Sequence, residues 1–262
     1  MALSFIDVVD ARLIFSINRL GSKAAIVCGM RANTVLESND AVSSLARSGS
    51  EIPLWLKIAF TLFMAVLVPV YWANYGPTNF LYFCDAALFL TLYAVWTESS
   101  LVASMAAVGI LLPQFFWCVD FVCEVAGWHL SGMTRYMFDP HRSLFLRGLS
   151  FFHGWLPFLL LFLVLRLGYD RRALKLWTAL AWALCLVSFF FLPPAGAVLA
   201  SPKLPRNINY VFGFSEAKPQ TWMPAGLYLL SWMLALAGLL FVPTHLLLRR
   251  CKSPAMAPVR AK

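Results

Sequence analysis

Five side chains set the chemical question: Cys84, Asp85, Gln114, Asp120 and His153. A cysteine facing a histidine supplies a nucleophile and a general base. The imidazole takes the thiol proton and the thiolate attacks an acyl carbonyl. Asp120 or Asp85 could then hold the histidine tautomer, the third role in triad logic. The same two carboxylates, with His153, could instead relay a proton or bind a cation. Backbone N–H groups inside a helix are already used, so oxyanion donors would have to be side chains, with Tyr82, Gln114 and Asn209 as candidates. Asn79 and Tyr210 complete the expected substrate contacts. Successive helical residues point about 100° apart, so Cys84 and Asp85 are not expected to serve one spot equally. Each residue also has a plainer reading: Cys84 as a small packing hydrophobe, His153 as a histidine bonded to a backbone carbonyl.

The elements that must carry these residues are read from the apolar runs. Of 262 residues, 61% are hydrophobic and 13% charged, against about 25% charged in soluble domains. Apolar segments at 53–75, 77–96, 99–122, 149–167, 174–192 and 224–248 approach or exceed the roughly 20 residues that a helix needs to cross a bilayer. The fold class expected is therefore all-α, a polytopic membrane protein built as a six-helix transmembrane bundle. That excludes a soluble enzyme, a secreted disulfide scaffold and a disordered regulator. Continuous runs without period-two alternation exclude a transmembrane β-barrel. Six cysteines without a CxxC pair form no disulfide or zinc framework. The chain divides into a polar tail (1–52), the spanning domain (53–248) and a basic tail (249–262). Asp7 and Asp10 interrupt what a secretory signal would need. Ser99, Ala103 and Ala107 recur at four-residue spacing, which predicts close helix packing.

The net charge of +9 collects at helix ends and in the tails, so a membrane orientation is expected and nucleic-acid binding is not. With the N-terminus cytoplasmic, 15 Lys and Arg fall inside and six outside. The positive-inside rule thus favours both termini in the cytoplasm of an inner or plasma membrane. Cys84 then lies roughly 10 Å, and His153 roughly 6 Å, below the outer surface at 1.5 Å per residue. Gln114 and Asp120 reach the same layer from the third span. Polar groups at that depth face a cavity or one another. The loop with His129, Asp139 and His141 matches no metal-ligand spacing and reads as an interfacial loop among lipid headgroups. The aromatic segment 207–214 could close over a lipid-facing site.

Three segments together carry a likeness: the Cys84 opening of the second span, Phe152-His153-Gly154 with the turn Gly168 to Lys175, and Asn209-Tyr210 through Lys218-Pro219 to Trp222. In order and spacing they resemble the YwaF-like family of six-span integral membrane proteins, to which a eukaryotic transmembrane phospholipid acyltransferase is similar. The resemblance spans about residues 53–248. It implies acyl transfer within the membrane by a cysteine and a histidine, which map onto Cys84 and His153. Two residues before the cysteine the pattern has histidine, where this chain has Tyr82, and Asp85 follows the cysteine directly. The expectation is a lipid acyltransferase or lipase-like enzyme acting on membrane glycerolipids, without metal or cofactor. The alternative is a small proton- or cation-coupled transporter using Asp85, Asp120 and His153.

Overall fold

The computed structural model describes residues 51–250 apart from Pro202. Most of the predicted polar tail and nearly all of the basic tail lie outside the described residues. Among the described residues every regular element is helical and no strand occurs, so the all-α polytopic bundle is the architecture found. Six helices run alternately up and down: α1 Leu54–Tyr75, α2 Phe83–Thr97, α3 Ser100–Val125, α4 Leu144–Leu167, α5 Ala173–Phe191 and α6 Ala225–Leu248.

Five of these are long and apolar enough to cross a membrane; α2 is not. This corrects the expectation of six full-length spans. Pro77 has no N–H to donate, and the chain runs as a 3-10 turn over Pro77–Leu81. Tyr82 is then extended at φ −61°, ψ 143°, and the α-helix begins only at Phe83. Its 15 residues cover roughly 22 Å at 1.5 Å each, short of the roughly 30 Å hydrocarbon core.

The core is built around α3. Ala103, Ala106 and Ala107 are fully buried, and small residues let helix backbones approach closely. Gly109 is the extreme case, since a Cβ built there would overlap the Trp177 indole of α5. Ser99 accepts from Val102 N at 3.3 Å and caps α3. Meanwhile the outward faces carry Trp55, Leu62, Trp72, Phe116, Val122 and Leu239, all exposed. Large apolar side chains presented by every long helix suit contact with lipid tails and not with water.

Polar contacts sort to the two ends. Where α1 begins, the Glu98 carboxylate accepts from Glu51 N (2.9 Å), Ile52 N (3.4 Å) and Lys57 Nζ (2.7 Å). At that same end Ser104 Oγ accepts from Asp170 N at 3.0 Å, and Tyr169 meets His245 Nδ1 at 2.6 Å. The opposite end, where α2, α4 and α6 begin, carries the two long connections (126–143 and 192–224) and the candidate site.

Two helices are broken in ways that matter there. Helix α4 bends between Leu144–Ser150 and Phe152–Leu167, and Pro157 leaves the His153 carbonyl without its helical donor. Cys118 Sγ approaches that carbonyl at 3.8 Å and the Gly154 carbonyl at 3.9 Å. Helix α6 widens to a π turn over Leu236–Phe241, one turn after Met233, whose carbonyl accepts from Trp182 Nε1 at 3.1 Å.

Candidate functional site

The start of α2 is fixed from far along the chain. Its first residue has no side-chain cap of its own. Instead Asn209 Oδ1 accepts from Phe83 N at 3.1 Å, while Asn209 Nδ2 donates to Leu81 O at 2.9 Å. One amide thus satisfies both backbone groups that the break at Tyr82 exposes. Asn209 can do so because it sits at φ 59°, in the left-handed region that Asn tolerates best after Gly. Asn207 braces the same loop, accepting from Phe212 N (2.9 Å) and donating to Gly213 O (2.7 Å) and Ser215 O (3.0 Å). Trp232 Nε1 holds the Asn209 carbonyl at 2.8 Å.

Cys84 and Asp85 therefore occupy the first turn of a braced helix, where the backbone dipole favours negative charge. Asp85 is 3% exposed. Its Oδ2 accepts from Asn79 Nδ2 at 3.1 Å and faces Cys84 Sγ at 4.0 Å, while its Oδ1 is buried without a partner. The thiol and the carboxylate thus share one spot, contrary to the expectation from helical spacing. Asn79 serves as a partner to the carboxylate. A buried carboxylate with an empty oxygen is costly, so it marks a place for a proton, a cation or a substrate donor.

His153 stands in the first turn of the second segment of α4. Its Nδ1 lies 2.8 Å from Ser150 O. A carbonyl only accepts, so Nδ1 carries the proton and Nε2 presents a lone pair. The tautomer is set by that carbonyl and by ring contacts with Trp117 (5.3 Å) and Phe152 (4.1 Å). No carboxylate holds it, which corrects the triad role expected of Asp120 or Asp85. Both Asp120 oxygens are taken up by the connection that follows α3. Ser131 N and Oγ donate at 2.7 Å each, and Thr134 N and Oγ1 at 2.9 and 2.7 Å. Asp120 is a loop anchor.

The remaining expected contacts divide. Gln114 is 2% exposed on α3 and its Oε1 is buried without a partner. The Asn209 amide nitrogen donates to Leu81 O at 2.9 Å and to Ser188 Oγ at 3.4 Å, so both its N–H groups are taken and it is no free oxyanion donor. Tyr210 lies at φ 58°, with its carbonyl accepting from Tyr228 at 3.2 Å. Burial pushes its hydroxyl up to about 12, and Cys84 is within electrostatic reach of it. Tyr82 is likewise within electrostatic reach of Cys84 and Asp85.

Four residues outside the expected set join the layer. Tyr71 and Ser150 share a buried 2.8 Å hydrogen bond. Trp117, stacked on His153, donates from Nε1 to the Tyr136 hydroxyl at 3.2 Å. Indole only donates, so the Tyr136 O–H proton stays free. Tyr136 is also within electrostatic reach of Cys84, and burial keeps it neutral. The contacts thus run from His153 through Trp117 to Tyr136. Gaps in the apolar pattern at Tyr71 and Ser150 were the signal available; Trp117 and Tyr136 gave none.

A thiol beside a half-satisfied carboxylate on α2 and an accepting imidazole nitrogen on α4 thus lie at the same end of the bundle, and no hydrogen bond joins Cys84 to His153 among the described residues. That end holds no group of three His, Cys, Asp or Glu side chains able to bind a metal among the described residues. An apolar hollow of about 220 Å³ between α3, α4 and α6 is lined by Leu111, Phe115, Leu161 and Leu247, and neither Cys84 nor His153 borders it. No protein-family model, curated protein or solved structure matches the chain.

Proposed function

We propose that the protein is a membrane-embedded acyltransferase of glycerolipids, or a lipase-like relative, with Cys84 as nucleophile. The observation that carries this reading is the contact of the Cys84 thiol with a buried carboxylate whose other oxygen is empty. In the first half-reaction Asp85 takes the thiol proton, and sulfur attacks the acyl carbonyl of a lipid ester. The carbon–oxygen bond breaks, the lipid alkoxide takes the proton from Asp85, and a thioester remains. In the second half, His153 Nε2 removes a proton from a lyso-lipid hydroxyl or water. That oxygen attacks the thioester, and the thiolate leaves and is reprotonated by the imidazolium. Tyr136 supports both steps as a neutral donor to the carbonyl oxygen. The resemblance to YwaF-like proteins supports the same chemistry, with Asp85 replacing His153 as the first base. The excess of Lys and Arg at the far end supports cytoplasmic termini and a site facing the outer leaflet.

A second reading is favoured by the same empty Asp85 oxygen: proton- or cation-coupled transport on Asp85 and His153, without Asp120. The experiment uses the full chain in nanodiscs containing acyl-labelled phospholipid. Acyl transfer predicts hydroxylamine-sensitive label on the wild type and none on Cys84→Ala, with altered acyl-chain patterns in expressing cells. Absence of label together with unchanged lipid patterns refutes it. Proton flux in liposomes that is lost in Asp85→Asn would establish transport in its place.

A further inference from the structure

The end of the bundle opposite Cys84 carries a feature that acyl transfer does not use. There the Tyr169 hydroxyl meets His245 Nδ1 at 2.6 Å, which ties the turn 168–172 to the last turns of α6. Asp170 N donates to Ser104 Oγ at 3.0 Å and fixes the same turn to α3. This bridge brings Arg171, from the turn, and Arg249, four residues beyond His245, within electrostatic reach of one imidazole. Three carboxylates stand at this end, and each has its own cation: Lys57 on Glu98 (2.7 Å), Arg166 beside Glu51 (3.6 Å) and Arg172 on Asp170 (2.7 Å). Arg171 and Arg249 are exposed and have no carboxylate partner among the described residues.

The apolar hollow between α3, α4 and α6 reaches the same part of α6. Thr244, Leu247 and Leu248 line it, in the turn that also carries His245 and leads into Arg249, with Leu111, Phe115 and Leu161 opposite. Thr244, the polar member of the lining, already donates to Leu240 O at 2.7 Å. Nothing in the hollow therefore calls for water, which needs polar partners to stay. Leu247 and Phe115 are exposed, so the hollow opens on the side that faces lipid. Its volume suits hydrocarbon, and two uncompensated guanidiniums close by suit a phosphate. An anionic phospholipid supplies both in one molecule.

We infer that this end holds one anionic phospholipid as a structural partner, with an acyl chain in the hollow and its phosphate on Arg171 and Arg249. The lipid is not a substrate, because Cys84 lies at the other end of the bundle. It fills the gap that the side chains of α3, α4 and α6 leave between them, and the inference stands independently of acyl transfer.

The test is native mass spectrometry of the full chain released from a neutral maltoside detergent. The probes are dioleoyl phosphatidylglycerol, dioleoyl phosphatidylcholine and glycerol 3-phosphate. Each basic side chain near a membrane surface favours an anionic lipid by roughly fivefold. The wild type should therefore bind one phosphatidylglycerol on the order of twentyfold more tightly than phosphatidylcholine. The double variant Arg171→Gln/Arg249→Gln should bring that ratio close to one. Leu247→Trp should fill the hollow and weaken both lipids by at least about tenfold, the equivalent of two methylenes left unburied. All three side chains are exposed, so these variants keep the fold. A wild-type ratio near one, or a ratio that survives in the double variant, overturns the inference. So does phosphatidylglycerol binding that Leu247→Trp leaves unchanged. Glycerol 3-phosphate displacing the lipid at equal concentration would identify a soluble-anion site and overturn it as well. A lipid-free dimer that Leu247→Trp breaks would identify a second copy of the chain as the occupant, with the same consequence. Cys84→Ala should bind phosphatidylglycerol like the wild type; loss of binding there would put the lipid at the opposite end and overturn the assignment. If that variant binds normally while the wild type forms no acyl-enzyme, acyl transfer falls and the lipid site stands.

Discussion

Replacing Asn209 tests the link between fold and site most directly. Its amide supplies the partners of Phe83 N and Leu81 O at 3% exposure. Each buried backbone group left unpaired costs roughly 1–3 kcal/mol, so losing the amide costs about 2–6 kcal/mol. Alanine adds on the order of 1 kcal/mol because position 209 is left-handed at φ 59°. Glycine adopts that backbone freely. At about 2–4 °C per kcal/mol for a chain of this size, Asn209→Gly should lower the melting midpoint by roughly 4–24 °C, and Asn209→Ala by about 2–4 °C more. The measurement is thermal unfolding of the purified full chain in detergent, followed by tryptophan fluorescence. The first turn of α2 should fray as well, so Cys84 should react faster with a water-soluble maleimide at temperatures below the transition. Asn209→Ala melting within about 2 °C of the wild type, with unchanged Cys84 labelling, would refute the brace.

Gly109→Ala should destabilise by roughly 1–3 kcal/mol, because the new methyl displaces Trp177 from a filled core; an unshifted melting midpoint would contradict the close approach of α3 and α5. Asp120→Asn removes the charge from four donors, and each hydrogen bond to a charged group contributes about 1.5–3 kcal/mol. Limited proteolysis should therefore cut the connection 126–143 faster in this variant while the helices stay protected. Glu98→Gln should weaken the part-buried Lys57 pair and cost roughly 1–3 kcal/mol, read as a lower midpoint that Lys57→Met partly restores. Ser150→Ala should lose the Tyr71 bond yet keep the carbonyl that orients His153, so acyl transfer should fall far less than in His153→Ala.

Periodicity and apolar length made the helices legible, because burial in lipid demands long unbroken runs. The small residues of α3 were readable for the same reason. Cys84 and Asp85 could be assigned to one layer with His153 by counting residues from helix ends. The roles within that layer could not be counted out. Asp120 was read as a catalytic carboxylate because its four partners come from Ser131 and Thr134, in a loop whose path no spacing rule predicts. His153 found its tautomer partner in a main-chain carbonyl, which every residue has and no motif records. The shortening of α2 was encoded in Gly76-Pro77, but the acceptor that lets Phe83 begin a helix lies 126 positions away.

That separation bears on how the chain is made. At about 5–20 residues per second, a ribosome needs roughly 6–25 s between adding Phe83 and adding its partner. Throughout that interval the first hairpin sits in the bilayer with a carbonyl and an amide unmatched at its rim. Biosynthesis therefore completes the reactive end late: a nascent chain stalled before residue 209 would own its thiol but not the framework that aims it.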